Sequence, residues 1–288
     1  MSAIPQGLLP GRAPDTHKGD AGRVFVLAGS SSMSGAAALC TMGALRAGAG
    51  LVTLGIPKSL HGPMVEKLTE AMFKVLPETK DGSLSLQGLP DIVGTIEKMD
   101  AVALGPGLSQ NPQTKDLVRQ LLPKIVKPLV VDADGLNAIA EDPGILRQRP
   151  LPCIVTPHPG EMARLGRISP DDVQSDRERI AREFAKKYNV ITVLKGRGTV
   201  VASFDGSFYV NETGNPGMAS GGSGDVLTGV IAGLLGQKLS LYDAACLGVY
   251  LHGLAGDLVA KARGEIGLLA SDLADRIPLA IREYQQST

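Results

Sequence analysis

VFVLAGSSSMSGAAALCTMGALRAGAGLVTLGI, residues 24–56, holds two apolar runs separated by a segment built mostly of small residues. VFVLAG (24–29) and LVTLGI (51–56) are short and apolar, and they read as strands. GAAALCTMGALRAGAG (35–50) reads as a helix of small side chains. Strand, helix and strand in this order form the unit of a parallel sheet. Neither strand alternates apolar with polar residues. Runs that are apolar throughout suit a sheet covered by helices on both faces.

The alternation continues to the far end of the chain. AVALGPG (101–107), PLVVDAD (128–134) and PCIVTPHPGE (152–161) read as strands running into turns. Arg177 to Tyr188 reads as an amphipathic helix, and VITVLK (190–195) as the strand after it. TVVASFDGSFYVN (199–211) reads as a hairpin turning at Asp205-Gly206. No internal repeat, low-complexity tract or linker interrupts the pattern. The expectation is a single domain over 1–288, an α/β fold with a mostly parallel central sheet.

Composition narrows the function. The 29 Lys and Arg balance 29 Asp and Glu, so neither a nucleic-acid footprint nor an attraction to anionic membranes is indicated. Tryptophan is absent and aromatics make up 3%, which argues against base-stacking platforms. Cys40, Cys153 and Cys246 lie far apart in apolar contexts and read as buried free thiols in a reducing compartment. The opening MSAIPQGLLPGRAP is not a signal peptide, and no apolar run reaches membrane-spanning length, so the expected location is cytoplasmic.

In a parallel sheet of this kind, ligands bind beyond the carboxyl ends of the strands. Segments 28–36, 105–113, 132–138, 156–161 and 195–199 fall there, rich in Gly, Pro, His and carboxylate. The decisive segment is NPGMASGGSGDVLTGVIAGLLGQ (215–237), a glycine loop feeding an apolar helix. Such a loop leaves backbone N–H groups converging at the positive end of a helix dipole, a seat for phosphate. A plain N-cap by Ser223 or Asp225 is the alternative, but capping does not need Gly221, Gly222 and Gly224 together. No P-loop or Rossmann glycine fingerprint occurs, so a phosphate here binds by another scheme.

Asp225 follows that loop and reads either as the acceptor of a nucleophile's proton or as a charge that favours the helix dipole. KGRGT (195–199) reads as a hairpin turn, or as a turn whose Lys195 lends charge to a phosphate. His158, fixed between Pro157 and Pro159, suits a ligand-facing histidine, whereas His17, His61 and His252 read as structural. Asp132, Asp134 and Glu161 stand at strand ends where they could organise Mg²⁺ through water, with a helix N-cap as the alternative for Asp134. The sequence lacks the ligand spacing of a protein-built metal cage, so any Mg²⁺ is expected to arrive with a nucleotide.

Taken in order, HKGDAGRVFVLAGS (17–30), ALGPGL (103–108), VDADGLNAIA (131–140), TPHPGEMARL (156–165), VLKGRGTVVA (193–202), GNPGMASGGSGDVLTGVIAGLLGQ (214–237) and YLHGLAGDLVA (250–260) resemble the ADP/ATP-dependent NAD(P)H-hydrate dehydratases. These form a branch of the ribokinase-like superfamily. The resemblance implies a three-layer α/β/α ribokinase-like fold and a repair reaction. In it, hydrated NADH or NADPH (the S epimer) loses its water at the expense of the terminal phosphate of ADP or ATP, with Mg²⁺ on the phosphates. It implies nucleotide contacts from Lys195, Gly196, Arg197, Gly198, Thr199, Asn215, Gly222 and Gly224. Ala36, Gly107, His158 and Asp225 would line the hydrated-cofactor site, Asp225 as the catalytic group. It further implies a homo-oligomer, often a tetramer, for which the small-residue helix at 35–50 is one candidate interface. Too few residues precede His17 for the epimerase domain many members carry, so a stand-alone dehydratase is expected. A vitamin or sugar kinase of the same superfamily, or a nucleotide-sensing module, are the alternatives.

Overall fold

The structure is a computed structural model that describes residues 4, 7–9 and 11–287. Its strands are β1 (Arg23–Leu27), β2 (Leu51–Pro57), β3 (Met72–Leu76), β4 (Ala101–Leu104), β5 (Leu129–Val131), β6 (Ile154–Val155), β7 (Ile191–Leu194), β8 (Val200–Ala202) and β9 (Phe208–Val210). The helices are α1 (Ser34–Arg46), α2 (His61–Lys67), α3 (Leu89–Ile96), α4 (Pro112–Leu121), α5 (Asp134–Ile139) and α6 (Pro159–Gly166). They continue with α7 (Pro170–Ser175), α8 (Arg177–Tyr188), α9 (Ser223–Gly236), α10 (Leu241–Arg263) and α11 (Ala270–Gln286).

The strands form one nine-stranded sheet in the order β3-β2-β1-β4-β5-β6-β7-β8-β9. Pairing is parallel from β3 through β7 and antiparallel for β8 and β9. The chain runs outward from β1 to β3 and then returns to lay β4 on the other side of β1. That reversal is a topological switch point, where strand ends splay and leave a crevice.

Successive residues of β1 explain the three layers. Val24 and Val26 belong to the core shared with α1, α9, α10 and α11, whereas Phe25 and Leu27 belong to the core shared with α3, α4, α5, α6 and α8. All four are fully buried, as a parallel strand covered on both faces requires. The small residues of α1 are spent inside the molecule, against α9. A Cβ on Gly229 would collide with the Cys40 carbonyl oxygen, and one on Gly43 with that of Val226. The two helices therefore meet backbone to backbone, and this packing accounts for the small-residue stripe.

Two sequence expectations are shortened and one strand was not read. Segment 152–161 contributes only Ile154–Val155 to the sheet, because Pro152, Pro157 and Pro159 lack the N–H a ladder needs. Helix α1 ends at Arg46 rather than at residue 50, where Gly48 turns the chain with φ +100°. The edge strand β3 is only half-buried and carries no clean periodic signal.

Candidate functional site

The glycine loop before α9 has the geometry of an anion seat. Gly222 occupies the N-cap position with φ +90°, and no side chain caps the helix. A Cβ at Gly222 would collide with Leu39 of α1, so the left-handed turn and the close approach both call for glycine. Neither Ser223 nor Asp225 acts as a cap; both lie inside the first turn. Upstream, Asp257 on α10 accepts the Gly214 N–H and the Asn215 Nδ2–H, each at 2.9 Å. Asn215 in turn accepts the Gly217 N–H at 3.1 Å, which ties the approach to the loop down on α10.

Around this helix terminus the sheet delivers charged groups from three strand ends. Lys195, at the end of β7, places its ammonium 2.6 Å from Asp132 Oδ1 at the end of β5 and 3.9 Å from Glu161 Oε2 in α6. The other Asp132 oxygen accepts the Thr228 hydroxyl of α9 at 2.7 Å. A Cβ on Gly224 would lie 3.2 Å from the Lys195 ammonium, so glycine at 224 gives the cation its place against the helix terminus. Burial acts to lower the Lys195 pKa, but Asp132 and Glu161 outweigh it and the ammonium stays charged.

Asp225 is the perturbed group of the site. Burial, then the like charges of Asp132 and Glu161, push its carboxyl up to about 7 against the opposing pull of Lys195. A carboxyl pushed up to neutral pH in the first turn of a helix whose N-terminus has no side-chain cap is suited to exchange a proton.

His158 has a defined tautomer. It caps α6, its Nδ1 accepting the Gly160 N–H at 3.0 Å and the Glu161 N–H at 3.3 Å, while Glu161 Oε2 accepts the His158 N–H at 2.8 Å. Two donors on Nδ1 require a lone pair there, which leaves the proton of the neutral ring on Nε2. Burial and then Lys195 lower its pKa, so the half-exposed ring is a neutral donor at physiological pH. Burial raises Glu161, with Lys195 opposing.

Loop 195–199 joins β7 to β8 as the expected hairpin connection, with Gly196 at φ +139° and Gly198 at φ +62°. Arg197 is exposed, and the Thr199 hydroxyl donates to the Gly196 carbonyl at 2.9 Å. Arg177 braces the loop from behind, donating to the carbonyls of Leu194 at 2.9 Å and Lys195 at 3.2 Å. Ala36 and Gly107 meet at the switch point, where a Cβ on Gly107 (φ +64°) would lie 2.9 Å from that of Ala36. Contacts join Lys195 to Gly224, Asp132 and Glu161, with His158 hydrogen-bonded to Glu161 and Asp225 interacting electrostatically with Asp132 and Lys195; Ala36 and Gly107 form a second group, and Leu39 against Gly222 links α1 to the glycine loop.

Three participants carried no local sign in the sequence: Thr228, Arg177 and Asp257. His252 is buried in α10 with Nε2 3.4 Å from the Ser223 hydroxyl, and burial holds its pKa down at about 4. Cys40, Cys153 and Cys246 are buried free thiols. Asp134 opens α5 and accepts the Ser109 N–H at 2.9 Å, with Ala133 at the N-cap position. Among the described residues no group of three or more His, Cys, Asp or Glu side chains could hold a metal ion. Asp132, with both oxygens engaged by Lys195 and Thr228, is not poised as a metal ligand.

A mostly parallel sheet with an antiparallel edge, helices on both faces and a glycine-capped helix N-terminus beside an Asp defines a ribokinase-like α/β fold. The family model described as NAD(P)H-hydrate dehydratase matches residues 24–279, and the chain belongs to that family. It is 48% identical over 278 residues to a bifunctional NAD(P)H-hydrate repair enzyme Nnr of Moorella thermoacetica, covering 96% of this chain and 52% of that protein. The enzyme of the same name from Escherichia coli is 40% identical over 265 residues, covering 92% of this chain and 48% of that one. The chain therefore spans about half the length of the curated relatives it matches. The crystal structure of an ADP/ATP-dependent NAD(P)H-hydrate dehydratase from Bacillus subtilis, co-crystallised with ATP/Mg²⁺, is similar with a TM-score of 0.83 and 33% identity. The match covers 96% of this chain and 94% of that one. No helix among the described residues is long and apolar enough to cross a membrane.

Proposed function

We propose that the protein, acting as one domain, returns the S epimer of hydrated NADH or NADPH to the dihydronicotinamide at the expense of ADP, with ATP as the alternative donor. The observation that carries this reading is Asp225, a carboxyl pushed up to about 7 in the first turn of α9, with the Lys195 ammonium held against the same turn. The nucleotide lies along loop 195–199 with its phosphates at the α9 terminus, contacted by Lys195, Gly196, Arg197, Gly198, Thr199, Asn215, Gly222 and Gly224. The hydrated ring lies between Ala36 and Gly107 at the switch point and His158 and Asp225 across the crevice.

Asp225 takes the proton of the ring hydroxyl as that oxygen attacks the terminal phosphorus, and the bond from phosphorus to the nucleotide's bridging oxygen breaks. The amides of α9 and the Lys195 ammonium stabilise the charge on the transferring group. Phosphate is then a far better leaving group than hydroxide. The ring nitrogen's lone pair expels it, and loss of a proton from the adjacent ring carbon restores the double bond. Neutral His158 donates Nε2–H to the substrate and orients it. Mg²⁺ would arrive with the nucleotide and neutralise charge on its phosphates.

The test is incubation of purified protein with hydrated NADH, Mg²⁺ and either ADP or ATP, following the absorbance band of NADH. A nucleotide-dependent rise is expected, and it names the donor. No rise from folded, nucleotide-bound protein would overturn the reading and turn attention to a small-molecule kinase, which leaves phosphate on its acceptor. The proposal includes a homotetramer in the cytoplasm, where reduced nicotinamide cofactors are made and used; light scattering reads the subunit number.

A further inference from the structure

Asp132 has a setting that the proposed reaction does not by itself explain. Its carboxylate is 1% exposed, and each oxygen is engaged by a different element: Lys195 at 2.6 Å from the end of β7, and Thr228 at 2.7 Å from α9. Thr228 stands one turn beyond Gly224, the residue against which the ammonium lies. The helix that offers its N-terminus thus also braces the carboxylate that holds the cation. A lysine unrestrained at the positive end of a helix dipole is repelled toward solvent. A buried ion pair adds little net stability, because desolvation offsets its attraction, so fold stability does not account for building one beside a phosphate seat.

We propose that Asp132, braced by Thr228, is a positioning residue that holds the Lys195 ammonium against the α9 terminus, where the transferring phosphoryl group develops charge. This rests on the nucleotide-dependent reaction proposed above. A pre-placed cation stabilises the transition state without reorganising, whereas a free lysine must be recruited in each cycle. The charged and titratable groups facing Asp225 are Asp132 and Asp134 from the β5 end, Glu161 from α6, Lys195 from the β7 end and the buried Cys40 thiol from α1; His158 and His252 flank Lys195 and Ser223. Removing the Asp132 charge takes away one of the like charges that hold Asp225 up.

Wild type, Asp132→Asn and Thr228→Val are compared in turnover of hydrated NADH with ADP or ATP, after circular dichroism has established folding. Asp132→Asn is expected to lose about 100-fold or more in kcat and Thr228→Val about 10-fold, with the nucleotide KM within about fivefold in both. The acid limb of the Asp132→Asn pH–rate profile moves to lower pH, a change that a purely structural defect does not produce. Folded Asp132→Asn with kcat within about threefold of wild type overturns the proposal. If Asp132→Asn does not fold, Thr228→Val decides: the expected loss supports the proposal and wild-type kcat overturns it. If wild type itself shows no turnover, the proposed reaction fails, and the clamp is read by ¹⁵N NMR of the Lys195 ammonium. A slowly exchanging signal present in wild type and lost in Thr228→Val supports the clamp, and a signal unchanged by the substitution refutes it.

Discussion

Asp225→Asn should cut turnover severely and stabilise the protein, with a stabilisation that depends on pH in a calculable way. The folded carboxyl titrates at about 7, raised from 3.8 by burial and by Asp132 and Glu161. An Asp whose folded pKa is raised is without penalty below its unfolded pKa, and its contribution is lost as pH rises toward the folded value. Asparagine has nearly the same shape and no charge, so the variant avoids that loss. Each pKa unit corresponds to about 1.4 kcal/mol, so the difference reaches roughly 4 kcal/mol above pH 7 as an upper bound. Relaxation and solvent around a partly exposed group reduce this to about 2 kcal/mol. Urea unfolding followed by circular dichroism at pH 5 and pH 8 measures it. The advantage of the variant should already be about 0.7 kcal/mol at pH 5 and grow by about 1–1.5 kcal/mol at pH 8. Turnover should fall by about 10²–10⁴-fold, the usual contribution of a positioned base. An advantage that does not grow with pH would refute the picture of Asp225 as a desolvated, repelled carboxyl. Retained turnover would remove its role as proton acceptor.

Three further outcomes follow from the same structure. In wild type, kcat/KM should rise with pH to a half-maximum near 7, since the acceptor works only when ionised; a profile flat from pH 5 to 8 would contradict the Asp225 titration. His158→Ala should lose the cap of α6, about 1 kcal/mol by thermal or urea unfolding, and raise the KM for the hydrated cofactor without adding a titration between pH 6 and 8, because the ring is already neutral. Gly229→Ala should destabilise by about 1–3 kcal/mol although alanine favours helix, because its methyl would meet the Cys40 carbonyl and force α1 and α9 apart; a melting temperature equal to wild type would show that the helices have room.

The Asp205-Gly206 turn, the helix from Arg177 to Tyr188 and the strands on either side of α1 were all legible along the chain. Each of these signals is local, a periodicity or a turn residue within a short window. The glycine loop before α9 was legible for the same reason, since a left-handed N-cap and a close approach both leave glycine in the sequence. The run Pro152 to Glu161 contributes only Ile154–Val155 to the sheet, a limit its three prolines already carried in the sequence.

The sequence by itself determined the layered α/β architecture, the covering of the sheet on both faces and the candidacy of Asp225, Lys195 and His158. Only the tertiary structure decided what those groups meet. Lys195 and Asp132 lie 63 residues apart, and Asp132 and Thr228 lie 96 apart. Strand order at the sheet's carboxyl edge brings them into hydrogen-bond range, and no local pattern encodes that order. The same holds for the small residues of α1. Their composition allowed an interface between subunits or a close helix contact, and the crossing of α9 at Gly43 and Gly229 accounts for them, because a buried backbone-to-backbone contact leaves no room for side chains on either helix.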